Sequence, residues 1–345
     1  MTKKSGIQKT NIIFEKFTEK HINEAVKLAL CELEAERKHC PDLPECDFSE
    51  KLTGVLHWLC SQPFGKAAVC DGKLVGYLLF AGPWDGFLGD VKGVFSPLVG
   101  SAFSYEYENR SRLASMLFEK VAEEFVKCGV YSCALSRFAH DEETAQSFIM
   151  NGFGIRCCDA VREISTIKWQ TASDNVLFEE LPADKFRLIK PLQMELNKHL
   201  EESPVFLSSD DNGFESWFEN WIKNETMRIF IAKSNGEIIG FISIDNDAEN
   251  FITEYDKMKN ICGAFFAERY RGNGVAQVLL AYVCDTLKAE NITHLGVDYE
   301  TLNPTALNFW GKSFVPYTYS YARRIDERIS TYNCQNSKKM CADMK

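Results

Sequence analysis

Apolar and polar positions along this chain follow two periods, and the switches between them outline its elements. Ile12 to Phe17, Val91 to Val99 and Tyr131 to Ser136 read as strands, as do Val176 to Leu181, Ile261 to Phe266 and His294 to Tyr299. Arg112 to Lys127, Glu143 to Met150, Val275 to Glu290 and Pro304 to Lys312 read as helices, with Pro304 where a first-turn proline is tolerated. Asp71-Gly72 and Asn235-Gly236 are hairpin dipeptides, each between two apolar runs. Phe214, Trp217, Phe218, Trp221 and Ile222 recur at helical spacing and predict a core helix. Tyr317 to Arg324 alternates as a strand that closes a sheet.

The same text occurs twice. Phe14-Glu15 recurs as Phe178-Glu179, Asp71-Gly72 as Asn235-Gly236, Ala114 as Ala276, Thr144-Ala145 as Thr305-Ala306 and Phe153 as Phe314. The offset drifts only from 164 (Phe14 to Phe178) to 161 (Thr144 to Thr305), as two copies of one fold with small insertions would give. Each copy runs strand, helices, hairpin, strand, helix, strand, helix, strand. That order predicts a mixed α/β (α+β) fold with a mostly antiparallel sheet flanked by helices. The expected division is residues 1–168, a polar linker at 169–175, residues 176–329 and a tail at 330–345 with little apolar content.

Composition narrows the class. Of 345 residues, 45% are hydrophobic and 26% charged, ordinary for a soluble globular chain. The net charge of −10 argues against broad nucleic-acid binding and favours a cationic partner. Met1 to Thr10 is polar, which predicts no secretory leader, and no apolar run approaches membrane-spanning length. The 13 cysteines, an odd number lying in core-like runs, fit reduced thiols in the cytoplasm. His39, Cys40, Cys46, His57 and Cys60 cluster in sequence, yet their spacing matches no zinc pattern, so no metal is expected.

The chemistry concentrates at Arg269-Tyr270-Arg271-Gly272-Asn273-Gly274-Val275-Ala276, between a strand and a helix. Unpaired N–H groups and the positive end of a helix dipole suit a diphosphate there. Gly272 and Gly274 remove side chains that would hold a phosphate off the backbone. A second stretch follows at Asn303-Pro304-Thr305-Ala306-Leu307-Asn308-Phe309-Trp310 and ends on Phe314. The two motifs, in this order with a helix and a strand between them, resemble those of the GCN5-related N-acetyltransferase (GNAT) family. The resemblance covers 176–328 well and 12–165 weakly, and implies two tandem GNAT folds.

The resemblance implies acetyl-CoA as co-substrate, with its pyrophosphate on the loop from Arg271 to Ala276 and its pantetheine beside Ala264, Phe265 and Phe266. Arg269, Asn303, Phe309 and Trp310 complete the expected cofactor set. It also implies strands that splay to admit the acyl group, a backbone N–H that polarises the thioester, and direct attack by an amine. In this fold the helices before the hairpin wall the acceptor site. Asp298 and Glu300, on one face of a strand end, are the first candidates for proton removal. Glu254 and Asp256 lie near the strand before the loop, but the position at which some relatives carry a glutamate falls on Met258. Many relatives have tyrosine at Trp310, where a hydroxyl protonates the leaving thiolate. Here Tyr317, Tyr299 or Tyr319 serves, or the thiolate leaves unaided.

In the first copy, Asn109-Arg110-Ser111-Arg112 falls opposite Arg271-Gly272-Asn273-Gly274, and Glu142 falls opposite Asn303. With both glycines replaced by arginine, that copy reads as degenerate, kept for packing, for shaping an acceptor cleft or for another ligand. The sequence therefore predicts an N-acetyltransferase acting on a primary amine of a small molecule or peptide, with no nucleic-acid or membrane partner. The alternatives are a non-catalytic acyl-CoA-binding or interaction module of the same fold, and a transferase for larger acceptors. Oligomeric state is not legible.

Overall fold

The computed structural model describes residues 12–164, 175–208, 211–246, 248 and 250–330. The expected linker, Asn175 excepted, and the expected tail beyond Ser330 lie outside the described residues. In the first copy the elements are β1 (Ile12–Lys16), α1 (Ile22–Arg37), α2 (Ser49–Cys60), β2 (Phe64–Cys70), β3 (Lys73–Trp84), β4 (Lys92–Ser96), β5 (Ser101–Phe103), α3 (Arg110–Lys127), β6 (Val130–Phe138), α4 (Glu142–Met150) and β7 (Gly154–Glu163). In the second they are β8 (Val176–Leu181), α5 (Lys190–Glu201), α6 (Asp211–Trp221), β9 (Arg228–Ser234), β10 (Glu237–Asp245), β11 (Met258–Phe266), α7 (Val275–Ala289), β12 (His294–Glu300), α8 (Pro304–Trp310) and β13 (Val315–Arg324). The copies match element for element, except that β4 and β5 together stand where β11 runs unbroken. Among the described residues no helix is long and apolar enough to cross a membrane.

The compact units do not follow one cut of the chain. Unit 1 draws its described residues from Met1–His39, Asp47–Arg156 and Thr318–Lys345, and unit 2 from Cys40–Cys46 and Cys157–Tyr317. Within unit 1, β1, β2, β3 and β4 pair antiparallel in that order and β4 pairs parallel with β6. The sheet closes on the far end of the chain, where Thr318 to Arg324 of β13 lie antiparallel to Phe138 to Ser132 of β6. Ser136 and Ser320 share a hydroxyl hydrogen bond of 2.7 Å across that pair. One face buries Phe80, Phe118, Phe125, Phe148 and Phe153 around α3. The other buries Phe17, Leu56, Tyr77 and Leu79 beneath α1 and α2.

Unit 2 repeats the plan. β8, β9, β10 and β11 pair antiparallel in sequence, and β11 pairs parallel with β12. The closing strand comes from the first copy, with Cys157 to Glu163 of β7 antiparallel to Glu300 to His294 of β12. Phe186, Leu192 and Phe218 pack on Ile229, Ile231, Phe241 and Phe265, so the aromatic helix α6 is a core helix through Phe218 while Trp217 stays exposed. Leu279, Leu280, Val283 and Leu287 are the buried stripe of α7.

Candidate active site

β11 and β12 hold together only from Met258/His294 to Ile261/Val297. Beyond that level β11 stays with β10, and the parallel partner is lost. The register between β10 and β11 shifts at Ser243/Ile244, which makes Cys262 a bulge residue. A bulge bends its strand and raises local twist, which carries β11 away from β12. Ser243 Oγ fixes the bend by donating to the Gly263 carbonyl at 3.1 Å. Gly263 is needed there, because a Cβ would stand 2.9 Å from Ser243 Oγ.

After Phe266 the chain makes a short turn over Glu268–Tyr270 and enters the glycine loop. Gly272 has φ of 80° and Gly274 has φ of 86°, both in the left-handed region that side chains with a Cβ rarely adopt. Gly274 caps α7, whose first turn presents its N–H groups to the loop. Arg271 folds back so that its Nε donates to the Phe266 carbonyl at 2.8 Å, with its guanidinium over the Phe265 ring. Asn303 caps α8, its Oδ1 accepting from Thr305 N at 3.2 Å and Ala306 N at 3.3 Å. The Phe309 and Trp310 rings meet edge to face at 4.6 Å.

A cleft of about 390 Å³ opens among these parts. Ala264, Phe265, Phe266, Arg271, Gly272, Asn273, Gly274, Ala276, Asn303, Phe309 and Trp310 line it, all from the expected cofactor set. Phe309 is half-buried and lines the cleft, while Trp310 is almost fully buried. Two of the set stand apart from the lining: Val275 is buried in the core, and Arg269 turns to the β9–β10 hairpin, pairing with Glu237 at 2.6 Å. Leu196, His199, Ile242, Tyr270, Gln277, Thr305 and Lys312 also line the cleft. Tyr270 and Lys312 fall within the two motif stretches legible in the sequence, whereas His199 and Gln277 were not singled out there. The cleft holds Arg271 and Lys312 and, among the described residues that line it, no aspartate or glutamate.

The candidate proton-transfer residues lie outside this lining, all but Tyr319 in unit 2. Asp298 and Tyr317 line a second, much smaller cavity. Tyr317 is buried, and its hydroxyl accepts from Asn250 Nδ2 at 2.9 Å. Burial, with Asp159 beside it, holds the Tyr317 phenol well above its usual pKa. Glu300 ends β12 opposite Cys157, and its carbonyl accepts from Asn303 N at 3.0 Å. Tyr319 belongs to unit 1. Trp310 offers no hydroxyl, and no tyrosine hydroxyl from the sequence candidates lines the large cleft.

Residues 194–314 match the sequence model of the acetyltransferase (GNAT) family. That stretch of the chain is a GNAT-family domain. A GCN5-related N-acetyltransferase from Sphaerobacter thermophilus superposes on this chain with a TM-score of 0.56 at 12% identity, over 91% of this chain and 95% of that one. A GCN5-related glucosamine N-acetyltransferase region of a fungal multi-domain beta-N-acetylglucosaminidase gives 0.53 at 13% identity, over 92% of this chain and 38% of that one. At such identities the likeness concerns the fold. No curated protein matches the sequence.

The corresponding place in unit 1 is built differently. Helix α3 starts at Arg110, the residue opposite Gly272, with Asn109 Oδ1 accepting from Arg112 N at 2.9 Å. One helical turn thus replaces the glycine loop. Arg137 spans from β6 to β5, donating from Nη1 to the Ser101 carbonyl at 2.8 Å and to Glu32 Oε2 at 2.9 Å. Its Nη2 donates to Asp141, which also takes Arg110. Asp141 precedes α4 as Asn303 precedes α8, so Asp141, not Glu142, is the structural counterpart of Asn303. Burial raises the Asp141 carboxyl, but Arg137 and Arg110 outweigh it and bring it down to about 2.

Proposed function

We propose that unit 2 transfers an acetyl group from acetyl-CoA to a primary amine of a small molecule or peptide, by direct attack with both substrates bound. One observation carries this: in a chain of net charge −10, the cleft beside the parted strands is lined by Arg271, Lys312 and two left-handed glycines, with no carboxylate in its described lining. That set fits a polyanion with an apolar arm. The loop from Arg271 to Ala276 would hold the diphosphate by N–H groups and the dipole of α7. Ala264 to Phe266, unpaired on the β12 side, would offer main-chain groups to the pantetheine. Acetyl-CoA supplies an activated acyl thioester, and the protein's task is to align it, polarise its carbonyl and manage protons.

The test is calorimetric titration of acetyl-CoA into the protein and into Gly272→Arg, followed by a panel of primary amines scored for thiol release. A Cβ at Gly272 meets nothing within 4 Å, so the variant should fold, with strain from the positive φ and an arginine across the cradle. One site per chain, lost in Gly272→Arg, with thiol release by an amine, is the expected result. Two sites would mean unit 1 also binds. No binding to the parent protein would overturn the assignment. Binding without thiol release under any amine would favour the non-catalytic module, a reading supported by the missing hydroxyl at Trp310.

A further inference from the structure

The register of β12 against β7 sets Asp298 directly opposite Asp159. Residues facing each other in an antiparallel pair hold their Cβ atoms about 4.5–5.5 Å apart, and like charges there repel. Both carboxylates belong to unit 2, although Asp159 is encoded in the first copy. Asp159 is 7% exposed and Asp298 faces solvent. They line a cavity of about 10 Å³ together with Tyr317, Asn260 and Thr253. That is room for one water, or for an ammonium group of similar size.

The side-chain amides and the threonine hydroxyl around the cavity already donate elsewhere. Asn250 Nδ2 is spent on Asp159 Oδ2 at 3.0 Å and on the Tyr317 hydroxyl at 2.9 Å. Asn260 Nδ2 is spent on the carbonyls of Asn246 at 2.9 Å and Thr253 at 3.2 Å. Thr253 Oγ1 donates to the Asn250 carbonyl at 2.6 Å. Asn260 is 1% exposed, and its Oδ1 has no hydrogen-bond partner among the described residues. A buried acceptor left unmet is costly, and a group with three donors and no acceptor fits a site of this kind. Gly296 belongs to the same arrangement, since a Cβ there would stand 2.4 Å from Asn260 Oδ1.

The position suits the reaction. Asp298 is the first residue of β12 beyond Val297, the last one paired with β11. The bulge residue Cys262 follows Ile261 at the same level of β11. Burial chiefly raises the Cys262 thiol, and the charges of Asp245 and then Asp298 add to it.

Resting on the acetyl-transfer reading above, we propose that Asp159 and Asp298 form a paired-carboxylate seat for the acceptor's primary ammonium group, with Asn260 Oδ1 as a third acceptor and Asp298 as the proton acceptor. The ammonium gives one proton to Asp298. Its freed lone pair forms the C–N bond while the C–S bond breaks. The second proton goes from nitrogen to the departing thiolate, and Asp298 returns its own to water. Asp298 was visible in the sequence as a candidate; Asp159 was not.

The experiment compares Asp159→Asn and Asp298→Asn with the parent protein, using acetyl-CoA and two kinds of nucleophile. Alkyl primary amines (ethylamine, 1,4-diaminobutane, phenethylamine) are protonated at neutral pH, and hydroxylamine is not. The expected result is a fall in kcat/KM for the alkylamines of roughly tenfold in Asp159→Asn and on the order of 100-fold in Asp298→Asn. The alkylamine-to-hydroxylamine preference should drop by a similar factor, which a general loss of structure would not produce. Acetyl-CoA titration of each variant reports whether the cleft survives. If the buried Asp159→Asn fails to fold, the solvent-facing Asp298→Asn carries the test. An unchanged preference would overturn the seat and leave acetyl transfer standing. Acetyl-CoA binding with no turnover of any amine by the parent protein would overturn the seat and the amine acceptor together.

Discussion

Arg110 grips Asp141 with two hydrogen bonds, of 2.8 and 2.9 Å, in the interior of unit 1. Glu32 and Arg137 complete a quartet in which every member is less than 10% exposed. Glu32 also accepts from the backbone N–H of Phe103 at 2.9 Å, tying α1 to β5. Burial raises the Glu32 carboxyl, against the pull of Arg137. Such a network contributes little net stability when whole and costs much when broken, because the partner left behind is a buried charge.

Arg137→Met should therefore destabilise the protein by about 3–5 kcal/mol. Urea unfolding checks this through a lower midpoint. A loss below about 1 kcal/mol, the range of an exposed pair, would mean that water reaches the quartet.

Asn303 offers a way to separate folding from binding. Asn303→Ala removes the cap of α8 and should cost about 1 kcal/mol. Asn303→Asp keeps an oxygen for the N–H groups of Thr305 and Ala306, so the melting temperature should hold. It also places a negative charge in a cleft whose described lining has none. Acetyl-CoA affinity should then fall roughly tenfold, as expected for like charges brought together. Equal affinity in calorimetry would show that the anion does not lie near α8.

His294 sets part of the acid limb of stability. Burial lowers its pKa below the ordinary 6.5, against the opposing charges of Glu163 and Asp42. Its ring stands edge-on to Tyr255 at 5.6 Å, and Nδ1 shares a hydrogen bond with Thr293 Oγ1 at 2.8 Å. The folded state prefers the neutral ring more than the unfolded state does. This contribution is fully present above pH 6.5 and is lost as pH falls through the lower folded value. His294→Gln should flatten that part of the stability–pH curve, measured by urea midpoints across the window. An unchanged slope would remove His294 from the account.

Local pattern carried much of this. The repeat, the strands that alternate and the helix following Gly274 were legible because short-range sterics and periodicity dictate them. The glycine loop was legible because left-handed backbone restricts residue choice. Partner choice was not. The alternation of Tyr317 to Arg324 specifies a strand and its two faces, yet says nothing of β6, more than 170 residues earlier in the numbering. Asp159 was invisible for the same reason, since only register places it against Asp298. Arg110 showed in the sequence as a lost glycine, but its inward turn depends on Glu32, Arg137 and Asp141, which the fold brings to it from two distant segments. Tyr317 offers a hydroxyl in the sequence, but alternation alone does not show that its side chain is buried.

The exchange of closing strands has a consequence for synthesis. A ribosome that has finished the first copy has made every strand of unit 1 but one, and has also made a strand that unit 1 will not keep. The edge of β6 from Ser132 to Phe138 must wait, with its backbone groups unpaired on that side, until Thr318 to Arg324 emerge. An unpaired edge of this kind is a template for wrong partners. The nearest wrong partner in time is β7, already made and destined for β12. Unit 1 thus begins folding first and finishes last, and the order in which the halves leave the ribosome is not the order in which they are completed.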